Sequence, residues 1–360
     1  MKNALNREAL HKDALIMKSV YDQFNVDEFV DTTIDQTWDE LELKAREKRI
    51  GLILGKYLPD DYEKALGLID KVVERHALDI LVMGYPFLEF VEAYGLDEKN
   101  LHLSIRALRK YTPYWSSEFA IRAFIIKYEV TMMKQMYQWS KDEDEHIRRL
   151  SSEGCRPRLP WAKALTSFQQ DPTPVLTILE QLKSDPSKYV RKSVANNLND
   201  ISKTHPQLVT KLAKDWYGQN EHTDWIIKHG CRTLLKKGNT EVLAIFGYHD
   251  VNICVDRFVI ETDMVPMGEE LVFSFEVHAK EVTKIRLEYG IDYVKSNGKT
   301  SRKIYKISEG YLDANTKKEY RKIHSFAELS TRTHYPGLHS ITLIVNGVER
   351  EKLDFELVKL

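Results

Sequence analysis

The chain has 360 residues, 42% hydrophobic and 30% charged, enough for two or three domains and a sizeable core. It has no apolar run of eighteen residues, its start MKNALNREALHKDAL is polar, and neither a membrane span nor a secretory signal is expected. The three cysteines, Cys155, Cys231 and Cys254, are widely spaced with no CxxC pair, which speaks against a disulfide framework or a structural zinc. The expectation is a cytoplasmic protein using no metal and no small-molecule cofactor.

From about residue 5 to 245 the pattern is helical. YEKALGLIDKVVERHAL and PVLTILEQLKSD place apolar residues at i, i+3, i+4 and i+7, between short polar or proline-bearing breaks. Three stretches repeat: EHIRRLSSEG at 145, KYVRKSVANNLND at 188 and DWIIKHGCRTLLKKG at 224 each open on an aliphatic-basic pair. Aligning Ile147, Val190 and Ile227 gives offsets of 43 and 37 residues, the period of HEAT-type repeats that stack into a solenoid. From about 270 the period becomes two, as in LVFSFEVHA, IRLEYGIDY, HSITLIVNGVE and KLDFELV, with turns at SNGK and VNGV. The predicted fold is mainly α, a HEAT-like solenoid over residues 1–250 followed by a small all-β, immunoglobulin-like sandwich over 265–360.

The net charge of -1 conceals an asymmetry. Residues 1–100 carry 13 Lys+Arg against 21 Asp+Glu, residues 101–240 carry 23 against 14, and residues 241–360 carry 17 against 19. A basic middle between acidic flanks suits a polyanion. Within it, Arg148 aligns with Arg191 and Lys228, and Arg149 with Lys192 and His229. That recurrence has one of two meanings: a cationic line for a phosphate backbone, or basic side chains that pack one repeat on the next.

The stretch RRLSSEGCRPRLPW adds chemistry to the charge. Arg149, Glu153 and Arg156 are spaced to share one helix stripe, Pro157 ends or kinks that helix, and Pro160 precedes Trp161. Glu118 lies 35 residues before Glu153, about one repeat earlier, and faces the same groove unless it merely caps a helix after Ser116-Ser117. Asp200 is a third acid or the turn residue of its repeat. Trp161 is either core or a stacking surface for a sugar or an unpaired base.

Together, SSEFAIRAF, RRLSSEGCRPRLPW, YVRKSVANNLNDISK and CRTLLKKG closely resemble the AlkC branch of the HEAT-repeat DNA alkylation repair glycosylases, with Ala123 standing where proline is expected. The resemblance implies an enzyme acting on double-stranded DNA that contains alkylated bases, and a monomer is expected. It would remove small cationic bases such as N3-methyladenine and N3-methylcytosine without an enclosed base pocket. It places catalytic roles on Glu118, Glu153, Trp161 and Asp200. DNA contacts are expected from Arg148, Arg149, Arg156, Arg158, Arg191, Lys192, Lys228 and Arg232. The competing reading is a HEAT scaffold that binds DNA or protein without catalysis. A scaffold has no use for Glu118, Glu153 and Trp161 converging on the cationic line.

Overall fold

Helices form where the periodicity requires them. In Tyr62–His76, Ala65, Leu66, Ile69, Val72 and Val73 recur at helical spacing and are buried. Asp61 caps this helix by accepting from the Lys64 amide at 2.9 Å. The computed structural model describes residues 2–249, 253–328 and 333–359. Sixteen α-helices among them run to Ile245, and strands follow from Ile253. No helix among the described residues is long and apolar enough to cross a membrane.

Two compact units result: Met1–Thr204 with Asn220–Gly230, and His205–Gln219 with Cys231–Leu360. This division differs from a break between 250 and 265, because the helices Pro206–Trp216, Arg232–Lys236 and Thr240–Ile245 group with the strands.

In the first unit the helix Glu145–Glu153 packs on Lys188–Ile201, which packs on Glu221–Gly230. These are the three repeated stretches. Their seam is partly polar: Ser152 Oγ donates to Ser193 Oγ at 2.7 Å, and Asn197 Nδ2 donates to the Ser152 carbonyl at 2.9 Å. Arg148 donates through Nε and Nη2 to the Asp185 carboxylate at 2.7 and 3.2 Å. Its Nη1 donates to the carbonyls of Asp142 and Glu143, six and five residues back. Arg191 repeats the arrangement on the carbonyls of Asp185 and Pro186. Packing engages both arginines at this position: each guanidinium binds the turn before its own helix, and Arg148 also ties one repeat to the next, whereas the aligned Lys228 is exposed.

The second unit contains eight strands: β1 Ile253–Ile260, β2 Met264–Pro266, β3 Glu270–Ala279, β4 Thr283–Val294, β5 Thr300–Leu312, β6 Lys317–Ser325, β7 Gly337–Val345 and β8 Val348–Val358. One sheet has the order β1-β3-β6 and the other β2-β8-β7-β4-β5. Phe273, Phe275, Ile291, Phe326 and Phe355 fill the core they share, an immunoglobulin-like sandwich. β3 alternates as read from the sequence, with Leu271, Phe273, Phe275 and Val277 buried. β1 escapes that reading because Arg257 has φ of 55° and the register shifts between Asp256 and Val259, a bulge that breaks the period. The β7–β8 turn is Asn346-Gly347, with φ of 49° and 80°, as a two-residue hairpin requires. A side chain at Gly347 would come within 2.4 Å of Leu243 and 3.0 Å of Gly238. The hairpin thus sits directly against the 232–245 helices of its own unit.

If Arg148 serves packing, Arg148→Ala should cost about 2–3 kcal/mol of stability, the scale of hydrogen bonds to charged groups. The salt dependence of DNA binding should stay unchanged. Denaturant melts and salt titrations on this variant check both halves.

Candidate functional site

The helix Glu145–Glu153 begins at Asp144, whose side chain accepts from the His146 amide at 2.7 Å. It ends at Glu153, earlier than a stop at Pro157 would place it. Arg156 is therefore on the following turn rather than on the helical stripe, yet its guanidinium folds back to Glu153.

An unbroken line of alternating charges follows. The Glu118 carboxylate pairs with Arg149, and Arg149 lies 3.5 Å from Glu153. Arg156 donates to Glu153 at 2.7 Å and to Asp200 at 2.9 Å, and Lys203 closes the line 3.3 Å from Asp200. Ser116 Oγ bridges the first pair, donating to Glu118 at 3.0 Å and accepting from Arg149 at 2.9 Å. The Arg149 guanidinium also lies over the Tyr189 ring, 5.0 Å from its centre. Burial works against charge on Arg156, but Glu153 and Asp200 outweigh it and raise its pKa.

These contacts settle several alternatives. Glu118 caps no helix: Ile121–Lys127 starts three residues later without a side-chain cap. Asp200 is a buried ion-pair partner inside the helix Lys188–Ile201, not a turn residue. Side-chain exposure falls from 15% at Glu118 to 7% at Glu153 and 2% at Asp200, so Glu118 is the most accessible acid of the three.

Trp161 is not core. It is 85% exposed and holds φ at 63°, a left-handed backbone that a bulky residue adopts only under constraint. The constraint is visible. Arg122, almost fully buried, donates to the carbonyls of Gly154 and Arg156 at 3.0 and 2.9 Å, and twice to that of Lys163 at 2.8 and 2.6 Å. Burial pulls the Arg122 pKa down to about 10, leaving it cationic at neutral pH. Leu159 and Leu165 anchor the same loop in the core. Sequence reasoning missed Arg122, since nothing local separates a buried arginine in FAIRAF from a solvated one. Cys155 also lies here, fully buried, with its thiol pushed up to about 12 by burial, so it is no nucleophile.

The remaining expected cations are scattered. Lys192 is exposed and joins no ion pair among the described residues, Arg158 is half-buried with no partner for its Nε, and Lys228 is exposed. Arg232, half-buried, opens the helix Arg232–Lys236 in the second unit.

The family model described as "DNA alkylation repair enzyme" matches residues 104–241, the span that carries this site. The one described as "Uncharacterised protein YhaZ, C-terminal Ig-like domain" matches residues 254–359. The chain is 44% identical over 359 residues to the YhaZ protein of Bacillus subtilis, covering 99% of each. It is 35% identical to the Pseudomonas fluorescens alkylpurine DNA glycosylase AlkC, solved bound to DNA containing an abasic site analog. The two share a TM-score of 0.94 over 99% of both chains. Likeness that runs through helices and strands alike places the protein in the DNA alkylation repair enzyme family, in its AlkC-type glycosylase branch.

Proposed function

We propose that this glycosylase excises cationic alkylated bases, such as N3-methyladenine and N3-methylcytosine, from duplex DNA at the line of ion-paired acids. The observation that carries this reading is a single loop. It leaves the buried Glu153, is pinned by Arg122, and ends on a strained, exposed Trp161. An exposed aromatic held at a conformational cost suits a surface that stacks on DNA.

The chemistry follows from the substrate. Alkylation at N3 makes the base a cation and a good leaving group, so no acid need protonate it. Positive charge develops on the deoxyribose as the glycosidic bond breaks. A fixed carboxylate beside that sugar stabilises the charge and orients the attacking water. Arg149 and Arg156 hold the buried Glu153 carboxylate in place, and their positive charge draws the phosphates towards it. Glu118, the most accessible acid, shares the task. Asp200 holds Arg156 in position.

Glu153→Gln should lower single-turnover excision about a hundredfold or more while DNA affinity holds or rises. Glu118→Gln should act in the same direction, and the double variant should lose less than the product of the single losses. Full excision by Glu153→Gln would make it an ion-pair partner only and place the catalytic acid elsewhere, with Asp200 the next candidate.

Trp161→Gly should separate function from stability. The left-handed backbone suits glycine, so on melting the variant should prove as stable as the wild type or more so, by about 1 kcal/mol at most. Both excision and affinity for damaged DNA should fall. Loss of stability without loss of activity would return Trp161 to a structural role.

Lys192→Ala should weaken binding to all DNA sequences and reduce the salt slope by about one unit. Salt titration against the wild type measures this directly, and an unchanged slope would remove Lys192 from the phosphate contacts.

A further inference from the structure

Beside Trp161 the first unit has an open cleft of about 400 Å³ that the proposed chemistry does not use. Its volume is that of a small-ligand site. Glu89 and Glu92, three residues apart on the helix Gly84–Tyr94, line it and are half-buried. Lys44 and Lys48 from the helix Leu43–Leu54, Lys127 from Ile121–Lys127 and Lys163 from the Trp161 loop line it as well. Lys44 is held in place, 2.8 Å from Glu47 and 3.9 Å above the centre of the Phe119 ring. Ala123, Ile126 and Trp161 complete an apolar wall.

The cleft holds both signs of charge. Its lysines favour an anion, its half-buried carboxylates favour hydrogen-bond donors, and Arg122, which also lines it, spends its donors on main-chain carbonyls. A nucleotide has the matching parts, a phosphate and a neutral, amino-bearing aromatic ring. Carboxylates accept from exocyclic amino groups, an exposed indole stacks on any base, and lysines pair with phosphate.

We propose that this cleft is a second DNA subsite that takes one unpaired nucleotide, its base against Trp161 and Ala123, its amino edge on Glu89 and Glu92, and its phosphates on the lysines. Base excision creates such a nucleotide, the orphaned partner of the lost base. Burial, reinforced by the negative charge of Glu92, pushes Glu89 up to about 7. At neutral pH Glu89 is therefore partly protonated and also donates to a ring nitrogen or carbonyl. The subsite rests on DNA binding by this unit and not on its catalysis.

The test uses the full chain and undamaged duplexes, one fully paired and one carrying a single unpaired nucleotide. The wild type should bind the second about tenfold tighter, the scale of one stacked base. Ala123→Trp, which fills the cleft, should abolish that preference without changing affinity for paired DNA. Glu89→Gln/Glu92→Gln should reduce the preference where Ala123→Trp proves unstable on melting. Equal wild-type affinity for both duplexes, or a preference that survives in both variants, would overturn the proposal. So would tight saturation by free deoxycytidine monophosphate with no preference for the unpaired duplex, which would mark a site for free nucleotides. A preference that persists in a chain unable to release alkylated bases would instead leave the subsite standing and sink the proposed function.

Discussion

A carboxylate taken out of water needs cations or hydrogen-bond donors in place of its hydration shell, and Glu153 has two arginines beside it. Arg149 reaches from Glu153 to Glu118 before the helix Ile121–Lys127, and Arg156 reaches to Asp200 at the end of Lys188–Ile201. One acid and its two arginines thereby join three successive repeats. An apolar seam of the same volume would be as stable or more so, so stability alone does not explain this choice. What the ion pairs add is position: each carboxylate is fixed by a neighbour.

Adjacent basic residues in the repeat have opposite fates. Arg148 and Arg191 point into the turns before their helices and bind main-chain carbonyls, while Arg149 joins the acids and Lys192 stands in solvent. The difference follows from the helix, where neighbouring residues lie about 100° apart around the axis. One position meets the turn of its own repeat and the next faces the acids or solvent.

The Trp161 loop shows how such a surface is held. To the buried Leu159 and Leu165, Arg122 adds four charge-assisted hydrogen bonds to carbonyls. Its own positive charge is retained because those carbonyl dipoles substitute for water. Rigidity bought in this way permits a strained backbone at Trp161, which a mobile loop would relax.

Much was legible from the residues alone. The helical and two-residue periods, the repeated stretches at 145, 188 and 224, the Asn346-Gly347 turn and the acids at 118 and 153 are all local patterns, and local patterns survive folding because backbone geometry imposes them. Three things were not legible. The bulge at Arg257 concealed β1, the second unit took in helices that periodicity assigns to the first, and Arg122 looked like any surface arginine. Sequence thus determined which elements form and which residue types carry charge. The tertiary structure decided which charges meet, because burial and pairing depend on neighbours more than thirty residues away in the chain, and no local spacing encodes that distance.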